Sequence, residues 1–158
     1  MLLLEPPAAL ARAARDGLAD MRTAGRAGPV TDTTVVLEAV RGVWVATVVL
    51  NGEWRARFLV DTGSSVTIVA PALAASLGLL RSVGPGVELQ TVAGLTAGPA
   101  ARLASLRVGD AELRDVPVVV HDPGPEMDGI LGNSFLGRYH LTLDGYRRLL
   151  HLQPPSRH

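Results

Sequence analysis

The 158-residue chain contains no cysteine. That excludes disulfide scaffolds, cysteine-ligated zinc, iron–sulfur clusters and thiol nucleophiles together. It contains no lysine either, all fifteen of its basic residues being arginine. A Schiff-base lysine and the lysine of a Walker-type phosphate loop are thereby excluded. Nor is there an excess of either charge, because fifteen acidic residues balance the arginines. Bulk electrostatic binding to nucleic acid needs a basic face, and the balance argues against it. Long apolar runs are missing too. Met1 to Leu4 is apolar but stops at Glu5-Pro6-Pro7, far short of the ~20 residues of a spanning helix. The basic start and apolar stretch of a secretory signal are absent. These features predict a cytoplasmic protein if the chain is whole. A membrane-anchored or periplasmic one is predicted if a segment precedes it.

What is present is a 47% hydrophobic, 19% charged composition, enough for one domain with a buried core. The first part differs from the rest. Ala8 to Ala27 is rich in Ala and Arg, with Leu10, Ala14, Leu18 and Met21 at helical spacing, and Gly25, Gly28 and Pro29 follow. This predicts an N-terminal helical extension or linker over 1–32, a globular domain over 33–152 and a flexible tail over 153–158.

From Thr33 onward the patterns are those of strands. Thr34 to Val40 and Val43 to Leu50 are rich in β-branched residues, and Asn51-Gly52 is a strong hairpin signal. Trp54, Ala56, Phe58 and Val60 fall on one face of the next strand, with Arg55 and Arg57 on the other. Trp44 and Trp54 are expected to face one another across that hairpin. Pro71 to Leu77 predicts a short helix, with Pro at its start and Gly78 after it. Val87 to Val92 and Thr96 to Val108 flank Ala93-Gly94, a hairpin tip. Gly109-Asp110 turns the chain into Ala111 to Val120, and His121 to Met127 forms a loop. Gly129 to Gly132 is a small apolar strand, Asn133 to Gly137 one helical turn, and Asp144-Gly145 the turn of a last hairpin. Short strands with turns every eight to twelve residues predict an all-β barrel or sandwich.

Chemistry concentrates at Asp61-Thr62-Gly63-Ser64-Ser65, which interrupts an apolar course. A carboxylate at the end of an apolar strand is costly unless hydrogen-bonded or solvated at a cleft. Hydroxyls and backbone N–H groups in such a loop can fix its orientation, and Gly63 lets backbone approach closely. An ordinary turn or a helix N-cap would use the same tripeptide. Gly129-Ile130-Leu131-Gly132 can run as a tight buried strand beside the acid-bearing loop. His121, His140, His151 and His158 show no metal-ligand spacing. No Gly-x-Ser-x-Gly elbow supports Ser64 or Ser65 as a nucleophile.

Taken in order, these residues resemble the retropepsin-like aspartic proteases over about Thr33 to Leu152. Asp61-Thr62-Gly63 resembles the family's acid loop, Leu89 to Gly98 its flap, and Ile130-Leu131-Gly132 with Asn133-Ser134-Phe135-Leu136 its psi-loop and following helix. Ala101 to Val108 and Ala111 to Val120 are also like bacterial members. The resemblance implies a closed six-stranded-type acid protease barrel with one or two short helices. It implies an aspartic endopeptidase that needs no cofactor or metal, is favoured at mildly acidic pH, and takes a peptide or protein substrate.

The family's reaction needs two aspartates. Asp128-Gly129 and Asp144-Gly145 lack the hydroxyl residue, so a homodimer pairing two copies of Asp61 is implied. Asp61 would be the acid/base. Thr62 would bond across the dimer axis. Gly63 would give backbone access, and Ser64 would meet the outer carboxylate oxygen. Ala93, Gly94 and Leu95 would close over substrate, although this tip has neither the tyrosine nor the glycine run of the family. Two other classes are compatible with the same residues. One is a peptide-binding module that does not cut; the other is a dimerisation domain whose N-terminal segment carries the function.

Overall fold

Strands dominate the protein in a computed structural model that describes residues 12–13, 26–27, 32–91 and 94–154. In chain order they are β1 (Arg12–Ala13), β2 (Arg26–Ala27), β3 (Thr33–Val36), β4 (Glu38–Val40), β5 (Val43–Leu50), β6 (Trp54–Val60) and β7 (Ile68–Val69). After helix α1 (Pro71–Ser76) and a 3₁₀ turn (Leu79–Ser82) come β8 (Gly86–Thr91), β9 (Gly94–Val108), β10 (Ala111–Val120) and β11 (Gly129–Leu131). Helix α2 (Asn133–Leu136), β12 (His140–Asp144) and β13 (Leu149–Gln153) complete the described elements.

The main sheet closes on itself. β5 pairs β6, β6 pairs β11, β11 pairs β7, β7 pairs β10, β10 pairs β9, and β9 returns to β5 through Val49↔Arg107 and Leu50↔Leu106. This ring of six strands is the closed barrel that the family resemblance implies, and it decides between the barrel and the sandwich that the turn spacing left open. Closure removes most of the open edges that would invite other chains. At the centre of β6 the alternation holds, with Ala56 and Phe58 buried inside and Arg55 exposed outside, whereas Trp54 at its start is exposed and Leu59 is buried in a second cluster. Phe58, Leu50, Leu103, Leu106, Leu113 and Leu131 fill the interior with no exposed surface. Such side chains contribute about 1.5–3 kcal/mol each on burial.

A second sheet of three strands, in the order β12-β13-β3, packs beside the ring. It is tied to the β9–β10 turn, where the N–H of Asp110 donates to Thr33 Oγ1 at 3.0 Å. The expected single strand over 34–40 is therefore two. The chain changes sheets at Leu37, which is buried and donates its N–H to the carbonyl of Arg148 at 2.7 Å.

Two further expectations are corrected. The helix predicted within 8–27 is not what the described residues there form. Arg12 and Ala13 lie antiparallel to Gln90 and Leu89 of β8, and Arg26 and Ala27 to Arg114 and Leu113 of β10. These four residues satisfy the strand-edge backbone of β8 and of the first half of β10, which β7 does not reach. The rest of that segment lies outside the described residues, as do positions 155–158 of the predicted tail. The tryptophans do not pair. Trp54 is opposite Leu50, whereas Trp44 is opposite Ala39 of β4 at the far end of β5. The Asn51-Gly52 turn fixes this register, both residues having positive φ (52° and 81°).

Candidate active site

The barrel places Asp61 by threading one strand between the two arms of its loop. β11 runs parallel to β6, with Gly129, Ile130 and Leu131 opposite Phe58, Leu59 and Val60. On its other side it runs antiparallel to β7, with Gly129 opposite Val69 and Ile130 opposite Ile68. The loop between β6 and β7 is thus folded over the end of β11. The parallel ladder extends one step further, because Asp61 donates its N–H to the carbonyl of Leu131 at 3.0 Å.

Glycine is required at both ends of this threaded strand. A Cβ on Gly129 would strike the carbonyl of Ile68 and the Phe58 ring. A Cβ on Gly132 would strike the carbonyl of Val66 and lie 2.8 Å from that of Ser64. At both positions a backbone carbonyl is in the way, and backbone has no rotamer to yield.

Inside the loop, the N–H of Gly63 donates to Asp61 Oδ1 at 2.9 Å. The N–H of Ser64 donates to the Asp61 carbonyl at 3.2 Å. Asp61 Oδ2 is shielded from solvent within the chain. The Ser64 hydroxyl, fully buried, donates to the carbonyl of Val66 at 2.8 Å. Thr62 stands exposed at the crest of the loop. Ile130 and Leu131 are wholly buried and build the floor beneath it.

Three residues to which the sequence pattern assigns no role at the site stitch the acid loop to its surroundings. Thr67, with no exposed surface, accepts from the N–H of Gly132 at 3.3 Å and from the Ser134 hydroxyl at 2.8 Å. Asn133 donates its main-chain N–H to the Ser64 carbonyl at 2.7 Å and its side-chain Nδ2 to the Thr62 carbonyl at 2.7 Å. A polar residue in an apolar run, as Thr67 is between Val66 and Ile68, is the signal that the sequence offers. Asp128, which lacks the hydroxyl neighbour of a second acid loop, is a staple. Its Oδ2 accepts from the N–H of Arg57 at 2.9 Å and its own N–H donates to the Arg57 carbonyl at 2.9 Å.

Below α2, the rings of Phe135 and Tyr139 meet at 5.3 Å between centroids. Burial pushes the Tyr139 phenol up to about 12, against the opposing pull of Arg138.

The expected flap is the β8–β9 hairpin, paired from Gly86↔Pro99 to Thr91↔Gly94. Ala93 falls outside the described residues. Gly94 has φ +117°, a conformation other residues rarely adopt, and Leu95 is 73% exposed. Midway along the hairpin, Thr96 Oγ1 lies 3.5 Å from His121 Nε2. Among the described residues, no three His, Cys, Asp or Glu side chains are grouped to hold a metal ion. No helix among them is long and apolar enough to cross a membrane.

A six-stranded ring with an Asp-Thr-Gly loop folded over an Ile-Leu-Gly strand defines a retropepsin-like aspartic protease architecture. The aspartyl protease family profile matches residues 46–135, more than half of the chain, and the protein belongs to that family. Among solved structures the fold is similar to that of a retropepsin-like aspartic protease from Rickettsia conorii, with a TM-score of 0.62 and 22% identity over 82% of this chain and 95% of that one. The retroviral protease-like domain of Ddi1 from Leishmania major aligns with 78% of this chain and 96% of its own length, at 15% identity and a TM-score of 0.46. No curated protein matches the sequence.

Proposed function

We propose that the protein is an aspartic endopeptidase that works as a homodimer, its reacting centre formed by Asp61 of each copy. The observation that carries this reading is the held carboxylate. Asp61 ends a barrel strand, its Oδ1 receives the Gly63 N–H at 2.9 Å, and exposed Thr62 stands beside it. An isolated carboxylate so held cannot activate water and protonate a carbonyl oxygen at once. Two of them, brought together on a two-fold axis, can. Like charges so close cannot both ionise easily, so the pair shares one proton and titrates as a unit.

The chemistry follows from that shared proton. The ionised member takes a proton from water as the water oxygen attacks the peptide carbonyl carbon. The protonated member polarises the carbonyl oxygen and gives it a proton. The tetrahedral intermediate then collapses: the newly protonated member gives its proton to the nitrogen, the C–N bond breaks, and the other member takes back a proton from the diol, which leaves the pair sharing one proton again. Thr62 would bond to its mate across the axis. Gly63 leaves room for the backbone of the pair, and buried Ser64 braces the loop beneath it. Ile130, Leu131 and Gly132 hold it from below, while the hairpin around Ala93, Gly94 and Leu95 closes over the substrate.

Peptide cleavage by wild type beside Asp61→Asn, with dimer formation followed by sedimentation, tests this. The expected result is loss of cleavage with the dimer kept. Equal cleavage by Asp61→Asn would overturn the mechanism. A peptide bound but uncut by wild type would move the protein to the binding-module class.

A further inference from the structure

The geometry points to Asn133 as a positioning residue for the Asp61 carboxylate, acting through the peptide unit that joins Thr62 to Gly63. The two ends of that unit are held by different residues. Its carbonyl, belonging to Thr62, accepts from Asn133 Nδ2 at 2.7 Å. Its N–H, belonging to Gly63, donates to Asp61 Oδ1 at 2.9 Å. Carbonyl and N–H of one trans peptide point in opposite directions in a rigid plane. Fixing the carbonyl on Asn133 therefore aims the N–H at the carboxylate.

The grip has a second point. Asn133 donates its own N–H to the Ser64 carbonyl at 2.7 Å, so the residue brackets Gly63 from both sides. Gly63 needs bracketing, because glycine lets the flanking peptides rotate at little cost. A hydrogen bond accepted by a peptide carbonyl also polarises its N–H, which strengthens the bond that N–H donates. Asn133 is itself exposed, at the start of α2. Its amide can be replaced without opening the core.

This inference rests on the proposed reaction for its effect on rate, but not for its effect on the loop. Asn133→Leu keeps the side chain's size and removes the donor. Asn133→Asp, ionised at neutral pH, places an acceptor against the Thr62 carbonyl. The full chain is measured in two ways for both variants. Amide exchange read by NMR reports the Gly63 N–H directly, and peptide cleavage across pH reports the rate.

Exchange at Gly63 is expected to quicken by about tenfold in Asn133→Leu and by more in Asn133→Asp, while the buried Gly132 amide stays protected, matching one lost hydrogen bond near a charged group. The kcat should fall in the same order with KM held. The acid limb of the pH profile should move to higher pH, since a carboxylate deprived of an N–H donor is a better proton acceptor. A merely structural role would lower the melting temperature without moving that limb. Unchanged Gly63 exchange and unchanged pH profile in both variants would overturn the inference. Wild type that cuts no peptide, with Gly63 exchange still quickened in the variants, would overturn the peptidase reading and leave the positioning role standing.

Discussion

The main-chain N–H of Asp61 donates to the carbonyl of Leu131 at 3.0 Å. Through this bond the acid loop inherits the position of a strand 70 residues away in the chain. β11 is only three residues long, yet it is flanked on both sides by the strands that enter and leave the loop. Any displacement of β11 is passed to Asp61, so a change in the packing around that strand reaches the carboxylate.

Gly132→Ala puts a methyl group into the Val66 carbonyl. Backbone must move to admit it, so a loss of about 2–4 kcal/mol is expected. Urea unfolding of both proteins reads it, and a variant as stable as wild type would show that the loop does not sit tightly on β11.

Thr67→Val preserves shape but leaves the Gly132 N–H and the Ser134 hydroxyl without their acceptor. Both partners lie in or near the core, where an unsatisfied donor costs about 1–3 kcal/mol. The melting temperature should drop, and Thr67→Ser should recover most of the loss, because the hydroxyl is what the clasp needs.

Leu95→Ser changes a side chain that is 73% exposed and packs against little within one copy. Stability should move by no more than about 0.5 kcal/mol. If the hairpin closes on substrate, KM for an apolar peptide should rise several-fold. Unchanged KM would remove Leu95 from the substrate-facing set.

Tyr139 gives a pH dependence whose sign is fixed. Burial raises the folded-state phenol from 10.0 to about 12, so the native state holds the proton more tightly than the unfolded chain does. The resulting stability is fully present below the unfolded value and is lost as pH climbs from 10 toward 12. In Tyr146→Phe, where Tyr139 is the sole tyrosine, phenolate absorbance should develop near 12. Denaturant midpoints should fall across that window, and less so in Tyr139→Phe.

Much of the fold is legible in the sequence, and the reason is locality. Ala111 to Val120 reads correctly at both ends because Gly109-Asp110 and the proline-bearing loop after it bound the strand. The short helix at Pro71 carries its own start signal, a proline in its first turn. At Arg12–Ala13 and Arg26–Ala27 the expected helix gives way to strand pairing because their partners, in β8 and β10, lie far along the chain. The roles of Thr67 and Asn133 are hidden for the same reason. Their partners Gly132 and Thr62 lie 65 and 71 residues away, and only the threading of β11 brings them together. The tryptophan pairing fails on register, since the hairpin turn sets every opposite pair and Trp44 lies too far from it.

The central claim is that one reacting centre is shared by two copies of Asp61. Mixing tests it most directly. Inactive Asp61→Asn is added in equal amount to a fixed amount of wild type, and the subunits are allowed to exchange before cleavage is assayed. Random pairing puts half of the wild-type chains into mixed dimers with one competent aspartate, so activity should fall to about half and keep falling with excess variant. Activity indifferent to added Asp61→Asn would mean that each copy works alone, and would contradict the shared centre.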